Sequence, residues 1–416
     1  MIPKADILDL AKQQELFPTT VEKDYVLGWL LFALAQHASL GLWIFKGGTC
    51  LKKCFFETYR FSEDLDFTVP PDWPLTASDV RSSLLDLAGW VEREVGIQFP
   101  PDGIEVERYL NTRGKESFQA KMTYIGPLNP PRQSRPRIKF DLTQDELVAD
   151  ETELRRVFHP FQDSPEPAPR VRCYSVNEIL AEKTRALYER EGRARDVYDL
   201  VHFGRSFRAG IDAVLAADVL RQKFVYKGLP EPTVATILAR VDYEVLKANW
   251  DHQLAHQLPT LPPVDGFFDE LRDAIAWWLQ PALASKTMPP LPLGKDEKLV
   301  PRRPFSAGVD QVSNRIRSRA TLLRFQALAN DRFGPLEKIR YAARNRLCVE
   351  VVYHGVVCLV EPYSLRLSGP GNTLLYVYEL KRGGTSSHGI KAFKIGEIAS
   401  ASSTKIPFTP RYDVEL

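Results

Sequence analysis

A short apolar stretch, Leu42–Phe45, is followed directly by Lys46-Gly47-Gly48-Thr49. The glycine pair lacks Cβ atoms, so the backbone of this segment can approach a ligand closely. The segment lies at a predicted strand-to-helix turn, where free N–H groups and the helix dipole favour a phosphate group. It is therefore a candidate binding site for the triphosphate of a nucleotide.

Two carboxylates, Asp64 and Asp66, follow at the start of a predicted strand. Side chains two apart on a strand point to the same face. Mg²⁺ prefers a few carboxylates together with phosphate oxygens of a substrate, and paired ions can activate a hydroxyl and stabilise a leaving pyrophosphate. Asp141 is the candidate third acid, as general base or metal ligand, if its strand pairs beside that of Asp64 and Asp66. A lone Gly-Gly turn or Asp-x-Asp is usually structural, but the ordered combination is more specific.

The elements that must position these residues follow from the period of the apolar side chains. Helical spacing predicts helices over residues 5–16, 21–36 (with Thr20 as N-cap), 50–59 and 78–95. Alternation of apolar and polar residues predicts strands near 65–69, 104–108, 118–124 and 138–142. Residues 42–145 are therefore predicted to form a mixed sheet with flanking helices, an α+β unit.

From residue 175 onward the predicted elements are helices, over 176–190, 196–203, 211–223, 233–248 and 267–279. Lys183 lies on the apolar stripe of the first of them, where an unpaired ammonium would be costly. It needs an anion, which is either a nucleotide triphosphate or an acid such as Asp196 or Glu182. Nearby arginines (Arg185, Arg193 and Arg195) either line a groove for a polyanion or lie on the surface.

The remaining chain is predicted to hold a linker and a β-rich domain. Residues 281–305 are rich in proline and charge, which is typical of a linker. Helices are predicted over 319–330 and 335–344, and strands over 347–416 with turns at 354–355, 368–372 and 382–384.

The bulk composition limits the partners and the location. The formal net charge is +2, so a nucleic-acid site has to be a local patch. The five cysteines form no C-x-x-C pair, which favours free thiols over a disulfide framework or a thiolate zinc site. The N-terminus is too polar for a signal peptide, and no apolar run reaches the roughly 18 residues that span a bilayer. A cytoplasmic location without membrane contact is expected.

The block FKGGTCLKKCFFETYRFSEDLDFTV resembles the signature of AbiEii/AbiGii-type nucleotidyltransferase toxins, found in type IV toxin–antitoxin and abortive-infection systems. Its Gly-[Gly/Ser], Arg-x-Ser and Asp-x-Asp elements are matched by Gly47-Gly48, Arg60-Phe61-Ser62 and Asp64-Leu65-Asp66. Further matches along residues 15–280 are Glu22-Lys23-Asp24, Lys139-Phe140-Asp141, Lys183, and Arg195-Asp196-Val197-Tyr198-Asp199-Leu200.

The resemblance implies a polymerase β-like nucleotidyltransferase fold, a mixed sheet with a helical bundle, and transfer of a nucleoside monophosphate from an NTP. It implies catalytic roles for Asp64, Asp66, Asp141, Lys183 and Asp196, the first three binding Mg²⁺ or Mn²⁺. The implied nucleotide-binding residues are Lys46, Gly47, Gly48, Thr49, Ser62 and Lys139. The implied acceptor is RNA, at the 3′ end of tRNA, with growth arrest or phage defence as the effect and a cognate antitoxin, such as a winged-helix repressor, as partner.

Residues 338–416 resemble WYL-type domains, which are small SH3-like β-barrels. The match rests on the helix at 338–343, on Glu361-Pro362-Tyr363-Ser364-Leu365 and on the segment 393–398, while Leu375-Tyr376-Val377 replaces Trp-Tyr-Leu. The resemblance implies a nucleic-acid or small-molecule ligand; an alternative is a structural or oligomerisation module. The basic candidates for binding are Arg344, Arg346, Arg366, Lys381, Arg382, Lys391 and Lys394.

Four segments are predicted from these patterns: a catalytic α/β domain (1–160), a helical domain completing the site (161–284), a linker with helices (285–337) and the WYL-like domain (338–416). Two alternative functions stay open. One is transfer of the nucleoside monophosphate to a protein side chain instead of RNA. The other is a nucleotide sensor that binds nucleotide without turnover.

Overall fold

The computed structural model describes residues 1–56, 59–111, 113–285, 288–292, 294, 297–300 and 334–416. The chain groups into two compact units. The first consists of Met1–Glu189, Ile211–Pro232 and His256–Pro259, and the second consists of Arg190–Gly210, Thr233–Ala255 and Thr260–Leu416. The predicted helix over 319–330 lies outside the described residues. The predicted four-segment division stays a prediction.

A mixed sheet of seven strands forms the centre of the first unit. Its strands are β1 (Ile44–Lys46), β2 (Asp64–Thr68), β3 (Ile104–Leu110), β4 (Glu116–Thr123), β5 (Arg137–Thr143), β6 (Glu153–Arg156) and β7 (Arg170–Cys173). Their order is β3-β4-β5-β2-β1-β7-β6. The pairs β2–β5 and β1–β7 are parallel, whereas β1–β2 and β4–β5 are antiparallel. The predicted α+β class with a mixed sheet is confirmed.

The two faces of the sheet differ in polarity, as the alternation of residue types requires. One face is apolar, and its side chains are buried; they include Phe45, Leu65, Phe67, Phe140 and Leu142. The opposite face carries the alternate positions of the same strands, which are polar or charged except for Ile44 at the start of β1. The predicted catalytic acids Asp64, Asp66 and Asp141 therefore lie on the polar face of the sheet, opposite the apolar core.

The helices of the first unit are α1 (Lys4–Gln14), α2 (Pro18–Gln36), α3 (Gly47–Cys50), α4 (Ala77–Val95), α5 (Val176–Glu189) and α7 (Ala213–Lys227); α6 (Ala194–Ser206) belongs to the second unit. The predicted start of α2 at residue 21 with Thr20 as N-cap is wrong. The helix begins at Pro18 with Phe17 as N-cap, because proline suits the first helical position, where its missing N–H costs nothing. The Thr20 hydroxyl donates instead to the carbonyl oxygen of His256, at 3.3 Å.

The helix predicted over 50–59 begins earlier and is shorter. It starts at Gly47 as α3 and continues as a π-helical turn over Leu51–Phe55. The strand before it is likewise shifted, since β1 begins at Ile44. A π-turn next to a candidate phosphate-binding turn fits the frequent occurrence of such turns at functional sites.

The second unit combines helices with an antiparallel sheet. Its helices are α6 (Ala194–Ser206), α8 (Val234–Leu238), α9 (Tyr243–Leu254), α10 (Val264–Leu279) and α11 (Pro335–Arg344). The single helix predicted over 233–248 is wrong, because α8 and α9 are separate. Asp242 begins the second of them as an N-cap whose side chain accepts from the N–H of Val245.

The sheet of the second unit contains β8 (Lys298–Leu299), β9 (Leu347–Tyr353), β10 (Val356–Leu367), β11 (Thr373–Arg382), β12 (Thr385–Lys394) and β13 (Ile398–Pro407). The strand order is β12-β11-β10-β9-β13, with β8 paired to β10, and the predicted turns between the strands are confirmed. In the part of the chain that the structure describes, no pairing joins β12 to β13, so the sheet is not a closed barrel there.

One of the basic candidates of the C-terminal segment is a structural residue. Arg366 is fully buried, and its guanidinium donates to the carbonyl oxygens of Leu291 and Pro292, at 2.6 Å each. Its assignment as a ligand-binding residue is therefore wrong. The side chains of Lys381, Lys391 and Lys394 are exposed. No helix among the described residues has the length and apolar content to cross a membrane.

Candidate active site

Asp66 lies against the backbone of the glycine turn. A Cβ atom at Gly47 would come within 2.1 Å of the Asp66 carboxylate oxygen Oδ2. Gly47 also has a φ of 79°, in the left-handed region that favours glycine. Position 47 therefore requires glycine for two reasons. The backbone of the turn has a positive φ, and the Asp66 carboxylate leaves no room for a Cβ atom.

The second glycine makes room for a different pair of side chains. A Cβ atom at Gly48 would come within 2.9 Å of the Arg60 guanidinium and of the Ser62 hydroxyl. Arg60 is buried and donates from Nη1 to the Gln257 side-chain oxygen, at 2.8 Å. The Arg-x-Ser segment thereby packs under the glycine turn, and Ser62 comes close to the predicted phosphate-binding backbone. The Thr49 hydroxyl donates to the backbone oxygen of Asp64 and ties the turn to β2.

The register of the sheet places three predicted site residues in one row. Lys46 of β1 pairs with Asp66 of β2, and Asp66 pairs with Asp141 of β5. Asp64 pairs with Lys139 in the same parallel ladder. Residues two apart on a strand share a face, so all three acids and Lys139 lie on the polar face of the sheet. The condition set for Asp141, that its strand lies beside that of Asp64 and Asp66, is met.

Asp141 has two polar neighbours on this face. Lys139 Nζ lies 2.8 Å from its Oδ2, and Gln119 of β4 donates to its Oδ1 at 3.2 Å. Burial alone would lower the pKa of Lys139, but the hydrogen bond and charge of Asp141 and the charges of Asp64 and Asp66 raise it overall. Lys139 is thus held as an ammonium among the three acids, where it offsets part of their mutual repulsion.

Lys46 points into a buried network of ion pairs. Its Nζ lies 3.5 Å from Glu182 Oε1 and 3.8 Å from Glu146 Oε1. Burial opposes the charged form, but these two glutamates outweigh it and raise the pKa of Lys46. Glu182 also contacts Lys223 of α7, at 3.2 Å. Lys46 is therefore anchored as a cation directly before the glycine turn.

Arg185 belongs to the same network. It is buried, and its Nη2 donates to Glu182 and Glu146 at 2.8 and 3.1 Å, while its Nη1 contacts Glu189. These carboxylates raise the pKa of Arg185 despite its burial. The alternative of a plain surface arginine is wrong for this residue, since its guanidinium is committed to acids of its own unit.

The remaining predicted catalytic residues lie on two helices. Lys183, on α5 of the first unit, is buried with 9% of its surface exposed. Asp196, on α6 of the second unit, is buried with 1% exposed, and its carboxylate lies 3.7 Å from Arg190 Nη1. Arg195, beside it, donates to the carbonyl oxygen of Gln253 at 3.2 Å. The catalytic roles of Lys183 and Asp196 stay predictions.

The residues present fit a divalent cation. Asp64, Asp66 and Asp141 are all partly exposed and share one face in adjacent positions of two paired strands. Carboxylate oxygens with room for substrate phosphates and water are the donor set that Mg²⁺ prefers. Because Gly47 has no Cβ, the Asp66 carboxylate can lie directly against the backbone turn that is the candidate phosphate-binding segment.

Two residues on this face escaped the sequence prediction. Gln119 contacts Asp141, but a single glutamine in an alternating strand gives no functional signal. Tyr109 of β3 is paired with Ser117 and has 41% of its surface exposed. Ser117 in turn pairs with Thr143, so Tyr109 lies on the same face as Asp141 in the neighbouring row of the sheet. Burial and the charge of Asp141 raise the pKa of its hydroxyl. An exposed aromatic ring beside the predicted catalytic acids could be recognised only once the strand order was known.

Comparison with known proteins finds a family that the chain matches and solved structures that it resembles. The family model described as the nucleotidyl transferase AbiEii toxin of type IV toxin–antitoxin systems matches residues 29–280. Among solved structures, the chain is similar to MenT4, a nucleotidyltransferase toxin from Mycobacterium tuberculosis. The sequence identity is 21%, the match covers 67% of this chain and 90% of that chain, and the TM-score is 0.46. No curated protein matches the chain.

Proposed function

The chain belongs to the AbiEii family of nucleotidyltransferase toxins, and from this premise we propose that it transfers a nucleoside monophosphate from an NTP to the 3′ end of a tRNA in a Mg²⁺-dependent reaction. The observation that carries the proposal is the row of Lys46, Asp66 and Asp141 across β1, β2 and β5, with Asp64 on the same face. Three acids beside a glycine turn suit phosphoryl chemistry, in which positioning and charge stabilisation supply most of the catalysis.

Asp64 and Asp66 are the residues that would hold Mg²⁺, which supplies a Lewis acid for the phosphate oxygens and helps to deprotonate the attacking hydroxyl. The acceptor oxygen forms a bond to the α-phosphorus, and the bond to the departing pyrophosphate breaks. Asp141 receives the proton of the acceptor hydroxyl. Gln119 and Lys139, which contact its two oxygens, hold this carboxylate in place.

The phosphate-binding part of the proposal uses the glycine turn and nearby cations. The backbone of Gly47, Gly48 and Thr49 and the Ser62 hydroxyl bind the triphosphate. Lys139 and Lys183 balance its negative charge. Lys46 holds the start of the turn through its pairs with Glu146 and Glu182, so its contribution is to position the turn.

The acceptor would approach from the β4–β3 side of Asp141, where Tyr109 is exposed. A nucleobase stacked on an aromatic side chain contributes about 1–3 kcal/mol. We therefore expect Tyr109→Ala to raise the KM for the RNA acceptor roughly tenfold, with the KM for NTP unchanged. Tyr109→Phe keeps the ring and should retain the wild-type KM. Steady-state transfer assays with varied acceptor and varied NTP measure both constants.

The matched control for this prediction is the next residue of β3. Leu110 is 64% exposed and points to the opposite side of the strand. Leu110→Ala should leave both KM values unchanged. Equal increases for the Tyr109 and Leu110 variants would assign the effect to the strand, and an unchanged KM in Tyr109→Ala would remove the stacking role.

The transfer itself is tested with NTPs labelled at the α-phosphate. Each of the four NTPs is incubated with Mg²⁺, the full chain, and total bacterial RNA or total bacterial protein. Label in a tRNA-sized band supports the proposal and gives the preferred base. Label in protein would replace the RNA acceptor with a Ser, Thr or Tyr side chain. Nucleotide binding without release of pyrophosphate would indicate a sensor without turnover and contradict the proposal.

The same premise extends to partners and effect. A toxin of a type IV system implies an antitoxin, for which we propose a winged-helix repressor, and the transfer to tRNA would cause growth arrest as a form of phage defence. The antiparallel sheet of the second unit, with exposed Lys381, Lys391 and Lys394, is proposed as a WYL-like module that binds a nucleic acid or a small ligand.

A further inference from the structure

Three of the five cysteines meet in the core of the first unit. The sulfur atoms of Cys50, Cys54 and Cys173 all lie within 4.8 Å of one another, and each residue is 0% exposed. Cys50 and Cys54 are four positions apart, on successive turns of the helical segment that follows the glycine turn. Cys173 ends β7, where it pairs with Phe45 of β1. The spacing of the cysteines along the chain does not predict this cluster, because only the pairing of β7 with β1 brings Cys173 close to the other two.

The three thiols of the cluster differ in how readily they ionise. The guanidinium of Arg155 lies over the Phe55 ring, 4.6 Å from its centroid, and its Nη2 contacts the carboxylate of Glu153. Burial raises the pKa of Cys50 and Cys173 well above the usual thiol value, whereas hydrogen bonds with these two cysteines and the charges of Arg155 and Lys53 lower the pKa of Cys54 despite its burial. A thiolate is the form of cysteine that binds metals.

We propose that Cys50, Cys54 and Cys173 form a binding site for a thiophilic d¹⁰ metal cation, Zn²⁺ or Cu⁺. Soft thiolates select these ions. With a metal–sulfur bond of about 2.3 Å, three sulfurs around one ion lie roughly 3.8–4.0 Å apart, which is within the spacing of the cluster. In the part of the chain that the structure describes, no His, Asp, Glu or further Cys joins these three as a fourth ligand.

The charge of the site is consistent with such an ion. Three thiolates and one divalent cation leave a single negative charge, which the nearby guanidinium of Arg155, itself paired with Glu153, partly offsets. A monovalent cation leaves one further negative charge, so the two ions differ in the charge that the core must hold. In both cases the deprotonated ligands release protons as the metal binds.

The position of the site links it to the catalytic turn. Cys50 is the last residue of α3, which begins at Gly47, and Cys173 belongs to the strand beside β1. A bound ion therefore connects the helix of the glycine turn to β7 through three bonds to sulfur. Ligands that bind only the folded state stabilise it, so occupancy raises the melting temperature of the first unit.

The test measures metal content and melting temperature of the full chain, produced in cells grown with added Zn²⁺ or with added copper under reducing conditions. After desalting against a weak chelator, we expect an equimolar amount of one of the two ions, and its identity distinguishes Zn²⁺ from Cu⁺. Removal of the ion by a strong chelator during refolding should lower the melting temperature. Wild-type protein that retains neither ion from either medium would overturn the proposal.

Matched variants separate the site from cysteine content. Cys173→Ala should lose the ion, and Cys348→Ala, which removes a buried cysteine of the second unit, should keep it. Equal metal content in the two variants would overturn the proposal. So would an intact mass of metal-free wild type lower by two hydrogens, because that indicates a disulfide. If Cys173→Ala fails to fold, wild type is refolded with Cd²⁺ instead. Thiolate–metal absorption would then support the proposal, and its absence would overturn it.

Discussion

The double variant Asp64→Asn/Asp66→Asn is expected to lose nucleotide transfer by on the order of 10³-fold, since loss of one preorganised electrostatic contact already costs about 10²–10³. Asparagine keeps the size of the side chain but removes the negative charge that a divalent cation requires. Both positions are on the polar face of β2, outside the apolar core. The measurement is the initial rate of transfer from an α-labelled NTP to RNA, at equal protein concentrations.

The melting temperature of the double variant tests whether the loss of transfer activity comes from the missing carboxylates or from misfolding. Asp64, Asp66 and Asp141 lie close to each other on one face, so removing two of the three charges relieves repulsion between them. The melting temperature of the double variant without ligands should therefore be equal to or above that of wild type. A low melting temperature together with low activity would assign the effect to misfolding.

The control variant is Glu107→Gln on β3. Glu107 pairs with Gln119, which pairs with Asp141, so it lies in the same row of the sheet at two strands' distance. Its side chain is 60% exposed and contacts Lys121 at 3.3 Å, an exposed ion pair of little energetic value. Its transfer rate should equal that of wild type. A wild-type transfer rate in the Asp64→Asn/Asp66→Asn variant would show that these two acids are not needed for transfer, and the active site would have to lie elsewhere.

The order of the motifs could be read from the sequence, but their convergence could not. The alternation in residues 138–142 predicted a strand with Asp141 on its polar side, and β5 confirms the strand. That β5 pairs in parallel with β2 depends on placing the β3–β4 hairpin, which lies between them in the chain, at the edge of the sheet. Such long-range pairing is set by burial of the whole apolar face, and local periodicity carries no information about it.

The burial of individual polar side chains could not be predicted from the sequence either. Arg366 and Arg185 have the same residue type as surface arginines, and only the packing shows that their guanidinium groups contact buried carbonyls and carboxylates. Helix starts were also misjudged where two capping signals competed, because Thr20 looks like an N-cap while Pro18 fixes the backbone earlier. In both cases the local residue type allowed two outcomes, and tertiary contacts selected one.

Gly47→Ala is expected to reduce transfer on the order of 10²-fold, the effect of displacing a reacting group by about 1 Å. The new Cβ would lie 2.1 Å from the Asp66 carboxylate oxygen, so the carboxylate has to move away from the turn. The φ of 79° adds a conformational cost of roughly 1–2 kcal/mol for a residue with a Cβ atom. Transfer rates and the free energy of unfolding are measured on the same preparation.

Gly96→Ala separates the two costs. Gly96 ends α4 with a φ of 76°, and a Cβ atom there would meet none of the described residues within 4 Å. This variant therefore has the same backbone cost, roughly 1–2 kcal/mol, without moving a carboxylate. We expect Gly47→Ala to be destabilised at least as much as Gly96→Ala, and only Gly47→Ala to lose activity. Full activity in Gly47→Ala would mean that the position of Asp66 against the turn is not needed for transfer, whereas equal loss of activity in both would trace the effect to stability alone.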